Sequence, residues 1–205
     1  MMKYRTVDPN EFKLIAVLHK LAFSDFFLAT LGLGFLKTYY KACLLADDSI
    51  AVCAVNSNNI IKGFATGSWH AAGYHKKLFL SNLISFSWRG MILIFTNPKA
   101  LFRLLKNLDK TPNPEDDRNY AELLSIAILP ELKGTSVGKE LLQMFELEAF
   151  KRGQTRVALT TDYNNNERVV AFYKKSGYLV YYDFITYPNR KMYKMIKDIH
   201  NVDNK

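Results

Sequence analysis

The chain has 205 residues, 49% of them hydrophobic, 14% aromatic and 23% charged, a balance that suits one domain with a sizeable core and excludes wholesale disorder, collagen and coiled coil. Lys and Arg number 28 against 19 Asp and Glu, and the resulting +9 favours polyanions: phosphate-bearing cofactors, nucleic acid or an anionic membrane. Two cysteines, Cys43 and Cys53, fit neither a zinc site nor a disulfide framework, and the N-terminus has no apolar signal core, so a cytoplasmic location is expected.

Lys3–Val7 reads as a short strand, and Asp8-Pro9 then opens a helix whose Phe12, Ile15, Ala16, Leu18 and Phe23 share helical spacing. Phe26–Leu45 is mostly apolar. Gly32 and Gly34 break its first half, and Phe35, Leu36, Tyr39 and Tyr40 predict a second helix. Ile50–Val55 and Ile60–Gly67 are β-rich runs on either side of Asn56-Ser57-Asn58-Asn59, which predicts a hairpin.

Residues 69–118 interrupt that pattern. Leu78–Phe95 is apolar, and Leu101, Phe102, Leu104, Leu105 and Leu108 come after it, predicting two or three helices divided at Asn97-Pro98. The first run nears the length of a membrane span, but Arg89, Asn82 and three serines inside it argue against one. An apolar insertion must bury its face, by packing on its own domain, as an interfacial helix at a membrane, or as a homodimer surface through 78–108. Thr111–Asp117 is a polar, proline-containing loop expected to be exposed and mobile.

From Tyr120 the pattern is regular: a strand (Ala121–Leu129), a glycine-containing loop, a helix (Val137–Arg152), a strand (Arg156–Thr161), a helix (Glu167–Lys175) and two closing strands, with a frayed tail at His200–Lys205. Gly134, Ser136 and Gly138 precede or open the first of these helices. Small residues there let a pyrophosphate approach unpaired N–H groups at the positive end of the helix dipole, and Lys133 and Lys139 add full charges. The second helix runs from Asn166 through Tyr173 and stops at Gly177-Tyr178.

Together these motifs resemble the GNAT superfamily of acetyl-CoA-dependent N-acetyltransferases over about Tyr120–Ile196. The family's loop pattern is Arg/Gln-x-x-Gly-x-Gly/Ala; here Lys133 stands for Arg/Gln and Ser136 for the first Gly, while Gly138 is kept. Its second signature, Asn then Tyr seven residues on and Gly-Phe/Tyr, is matched by Asn166, Tyr173, Gly177 and Tyr178. Ser136 needs a negative φ, or a strained backbone, where Gly would be free.

The resemblance implies an α/β fold with a central mixed, mostly antiparallel sheet of about seven strands flanked by helices, residues 1–205 as one domain, and a helical insertion at 69–118 between the third and fourth strands. It implies acetyl-CoA as co-substrate and no metal. The pantetheine arm would lie along Ile126, Ala127 and Ile128 between two splayed strands. Lys133, Gly134, Thr135, Ser136, Val137, Gly138 and Lys139 would hold the pyrophosphate, and Asn166 would contact the cofactor. Tyr173 is the implied acid toward the thiolate and Glu122 the implied base toward the amine, with Asp162 in reserve. His70 and His75 flank the insertion and could face an acceptor. The expected activity is acetyl transfer to a primary amine of a small molecule such as an amino sugar or polyamine. The alternatives are a protein N-terminal or lysine acetyltransferase and a non-catalytic module that binds coenzyme A or a membrane. Coenzyme A accounts for the basic balance, so nucleic acid is not expected.

Overall fold

The computed structural model describes residues 2–24, 26–99, 102, 106, 113 and 115–200. Seven strands form one sheet: β1 (Lys3–Thr6), β2 (Ser49–Val55), β3 (Ile61–Ser68), β4 (Ala121–Ile128), β5 (Arg156–Asp162), β6 (Leu179–Thr186) and β7 (Arg190–Asp198). Their order is β1-β2-β3-β4-β5-β7-β6, and every neighbouring pair is antiparallel except β4 with β5. The helices are α1 (Phe12–Ala22), α2 (Phe27–Thr30), α3 (Gly32–Leu45), α4 (Tyr74–Ser81), α5 (Leu83–Thr96), α6 (Val137–Lys151) and α7 (Glu167–Lys175). This is the mixed, helix-flanked sheet that the family resemblance implies, with α4 and α5 between the third and fourth strands.

Local chemistry sets the boundaries. Asp8 Oδ1 accepts the Asn10 N–H at 2.8 Å and Glu11 Oε2 accepts the Asp8 N–H at 2.9 Å, a capping box that starts the 3₁₀ turn leading into α1. The run Phe26–Leu45 is two helices rather than one, because Gly32 takes φ +86° at the break. Leu78–Phe95 is also split: α4 ends at Asn82, whose Nδ2 donates to the Leu78 carbonyl at 3.1 Å and so satisfies an end of the helix. The predicted helix at 101–108 falls almost wholly outside the described residues, as do 111, 112, 114 and the tail beyond His200.

Alternation along the strands creates two cores. On one face α1 and α3 pack Ile15, Leu36 and Tyr40 against Cys53 and Phe64. On the other, α6 buries Val137, Leu141, Leu142, Phe145 and Ala149 against Val52, Ala65 and Leu123 of the sheet, and Tyr173 and Tyr178 join from α7 and the turn after it. Each large side chain fully buried this way contributes about 1.5–3 kcal/mol.

Two irregularities distort β4. The β3–β4 register slips so that Thr66 faces Ser125 while Gly67 faces Leu123, leaving Leu124 as a bulge. A Cβ on Gly67 would meet the Glu122 carbonyl oxygen at 2.0 Å, so glycine is required for the close approach. Pairing of β4 with β5 extends only from Ala121/Val157 to Leu123/Leu159, beyond which both strands continue unpaired with each other.

Candidate active site

At the point where β4 and β5 part, a cavity of about 590 Å³ opens on the face away from α6. Leu124 and Ser125 of β4 and Thr160 of β5, the first residues past the last paired positions, form its floor. Phe27, Phe35, Tyr39 and Phe79 give it an aromatic wall, and Glu122, Asp116, Arg118, Lys194, Tyr120 and Tyr182 bring polar groups to it.

Glu122 is the second residue of β4, placed by alternation opposite the side that Ala121 and Leu123 give to the α6 core. Its Oε1 accepts from Lys194 Nζ at 2.6 Å, with the lysine side chain 6% exposed and the glutamate 19%. The lysine also lies over the Tyr120 ring, 4.8 Å from its centroid. Asp116 accepts from the Tyr182 phenol at 2.7 Å, the Tyr120 phenol at 2.8 Å and the Arg118 N–H at 3.0 Å. Burial opposes its charge, but these three donors outweigh burial and hold the carboxyl below the usual carboxylate range. Burial is also the main cause that raises the Tyr120 and Tyr182 phenols, so both stay protonated and donate.

The loop before α6 presents backbone donors rather than side-chain ones. Gly134 takes φ +84°, which is where this turn needs glycine. Ser136 sits at φ −68° and ψ −14°, an ordinary helical conformation, so the strain that replacing glycine threatened does not arise. The Thr135 hydroxyl donates to the Leu132 carbonyl at 2.7 Å, and Val137 N–H reaches Thr135 Oγ1 at 3.4 Å. Among the described residues, no protein acceptor reaches the N–H groups of Gly134, Ser136, Gly138 or Lys139, and the first intrahelical bond is Glu140 N–H to Ser136. Val137 itself points into the core.

Within β4, Leu129 N–H donates to the Lys62 carbonyl at 2.8 Å, which sets the parity of the ladder. Ala127 therefore turns its backbone to β3 and its buried side chain to the α1–α3 core, away from any cofactor. Ile126 and Ile128 turn theirs toward the opening beside β5.

The remaining sequence candidates scatter. Tyr173 is buried in the α6 core on the opposite face from Glu122, and burial raises its phenol. Asn166 Nδ2 donates to Thr161 Oγ1 at 2.7 Å and the Asp162 carbonyl at 3.0 Å, tying the start of α7 to the end of β5. Asp162 is held by the Arg190 guanidinium through both oxygens and does not line the cavity, which removes it as a reserve base. His75 lines the cavity and His70 does not. Cys43 and Cys53 are free and buried, and burial pushes each thiol up to about 11, which makes neither a nucleophile at neutral pH. Among the described residues no cluster of His, Cys, Asp and Glu could hold a metal, and no helix is long and apolar enough to cross a membrane.

Asp116, Arg118, Tyr120, Tyr182 and Lys194 are site residues that sequence reasoning missed. Asp116 sits in the loop expected to be exposed, and is instead half-buried because two phenols close over it. A signal for Lys194 was present: Met192-x-Lys194-x-Ile196 places a lysine on a strand face between two apolar residues, where a charge needs a partner.

A family model described as "Acetyltransferase (GNAT) family" matches residues 87–178. Aminoglycoside 6'-acetyltransferase type Ii is 16% identical, with 97% of this chain and 98% of that chain covered at a TM-score of 0.63. The ribosomal-protein-S18-alanine N-acetyltransferase from Escherichia coli is 13% identical, covering 100% and 99% at a TM-score of 0.60. The acetyltransferase of GNAT family from Streptococcus pneumoniae is 17% identical, covering 98% and 100% at 0.58. Identities this low carry the fold alone. A search among curated proteins finds no match by sequence.

Proposed function

We propose that this chain is an acyl-CoA N-acetyltransferase of the GNAT family and that it transfers acetyl from acetyl-CoA to a primary amine of a small molecule. The observation that carries this reading is the position of Glu122: it stands on the wall of a cavity whose floor is the parting of β4 and β5. A volume of about 590 Å³ suits a small molecule, and the aromatic wall bounds it.

The residues fit the co-substrate. Four backbone N–H groups at the α6 end, with Lys133 and Lys139 beside them, suit a pyrophosphate, and the unpaired β4 edge at Ile126 and Ile128 suits an extended amide-bearing arm. When bound, acetyl-CoA supplies an activated acetyl thioester. The chain's part is then to move two protons and orient one amine. Glu122 takes the proton the amine must lose, directly or through a water, and Lys194 holds the carboxylate in place. Tyr173, kept protonated by burial, would be the acid toward the sulfur, meeting it from the α6 side of the sheet across the parting of β4 and β5 from Glu122. Asn166 acts by locking α7 to β5. Among the described lining residues, Lys76, Arg118 and Lys194 outnumber Asp116 and Glu122, which supports a singly charged amine, such as an amino sugar with one amine, over a polyamine. The reading treats residues 1–205 as one domain working in a reducing cytoplasm.

The test is calorimetric titration of acetyl-CoA into the wild type and Gly138→Glu, beside a thiol-release assay on amino sugars, polyamines and N-terminal peptides. The expected result is binding lost in the variant and turnover on a small amine, reduced by about 10²–10⁴-fold in Glu122→Gln and in Tyr173→Phe. Turnover on peptides alone would overturn the small-molecule reading, and tight binding with no turnover on any amine would overturn catalysis.

A further inference from the structure

α5 is anchored on one side and bare on the other. Phe86 is buried, with its ring 4.3 Å from Phe79 and 5.9 Å from Phe35. The opposite side carries Leu83, Ile84, Trp88, Met91 and Ile94, which are 58%, 88%, 60%, 46% and 53% exposed, and Leu80 at the end of α4 adds a further 59%. Scattered exposed apolar residues are ordinary, but six within fifteen positions on consecutive helical turns form a patch that wants a cover.

The charge along this part of the chain has one sign. Between residues 69 and 108 the sequence holds Lys76, Lys77, Arg89, Lys99, Arg103 and Lys106 and not one Asp or Glu. Lys76 lines the cavity and Lys77 pairs with Asp48 of the β2 approach, so Lys99 and Lys106, both exposed, are the described cations that follow α5 in this segment, with Lys106 over the Phe102 ring. An apolar helix face with a central tryptophan, in a segment rich in cations and free of carboxylates, matches the interface of an anionic bilayer, where apolar side chains enter the acyl boundary and lysines meet headgroups. A second copy of the chain is a poorer cover, because pairing the face with itself would bring two cationic segments free of carboxylates together.

We propose that the outer face of α5 docks this protein on an anionic lipid surface. None of these six exposed residues lines the cavity that holds Glu122, so docking and acetyl transfer can be read independently. The full chain is sedimented with vesicles of phosphatidylcholine alone and of phosphatidylcholine with phosphatidylglycerol. It should pellet only with the second, and in a Trp69→Phe background Trp88 emission should shift to the blue. Ile84→Ser, which changes no charge, should weaken partitioning about ten-fold. Lys106→Gln should weaken it about five-fold. Both variants should keep the wild-type melting temperature and acetyl-CoA affinity. Absence of pelleting with anionic vesicles overturns the proposal. So does pelleting that Ile84→Ser leaves unchanged, which would mean adsorption by net charge alone, and so does self-association by light scattering that Ile84→Ser abolishes, which would assign the face to a second copy.

Discussion

Gly67→Ala adds one methyl group where β3 passes closest to β4. That Cβ would stand 2.0 Å from the Glu122 carbonyl oxygen and 2.8 Å from Phe145 Cζ, and neither the backbone of a paired strand nor a ring in the α6 core can step aside freely. The strands must separate by roughly 1 Å or more, which strains the core by about 1–3 kcal/mol. It also weakens ladder bonds on either side of the Leu124 bulge, each contributing about 1 kcal/mol net. The sum is about 3–5 kcal/mol, and a chain of this size loses about 2–4 °C of Tm per kcal/mol, so a fall of about 10 °C is expected. Urea and thermal unfolding followed by circular dichroism measure it directly. The colliding atom belongs to Glu122, so any folded fraction should also lose acetyl transfer. A destabilisation below about 1 kcal/mol would refute the account of the bulge.

Other perturbations test other parts. Gly90→Ala in α5 meets no atom within 4 Å, so it should raise stability by about 0.5–1 kcal/mol, measured by the same unfolding curves. His19 is buried beside Tyr40, with Nδ1 2.6 Å from the phenol oxygen and Nε2 without a partner among the described residues, and burial lowers its pKa to about 4. The unfolded chain therefore binds the extra proton between about pH 6.5 and 4, and stability falls as pH drops through that window; from pH 7 to 5 the loss is about 2 kcal/mol, and His19→Leu should remove that part of the slope. Tyr182→Phe takes one donor from Asp116, whose carboxyl is held low in the folded state. The variant should be about 1 kcal/mol less stable at neutral pH, and the gap should close as acid protonates Asp116, as read by denaturation at pH 7 and near pH 2.

The elements to which we assign cofactor binding were legible because their signals are local. The α6 stripe of Val137, Leu141, Phe145 and Ala149, the Asn166-to-Gly177 helix and the Asn56–Asn59 turn each declare themselves within a few residues. What stayed hidden depends on pairing between distant strands. Lys194 reaches Glu122 only because β7 lies beside β5 and β5 beside β4, and Asp116 gains its two phenols from the start of β4 and from β6. The fate of Asp162 turned on Arg190, a residue on β7 that no periodicity links to it. The exemption of Ala127 from the β4 edge came from one bond, Leu129 to Lys62, that fixes which way each backbone group faces.

The short meeting of β4 and β5 has a mechanical consequence. Three residue pairs are all that sew the β5-β7-β6 panel to the β1-β4 panel along the ladder, although side-chain ties such as Arg156 to Asp117 and Lys194 to Glu122 cross nearby. Such a seam is where the protein should breathe first, its amides exchanging with solvent before those of β2 and β3. A co-substrate threaded into the gap would serve as an eighth, removable strand, and at about a hundred times its dissociation constant it would add roughly 2.7 kcal/mol to the folded state. Occupancy would thus be felt as stiffness across the whole sheet, and the chain would be at its most pliant while the gap stands empty.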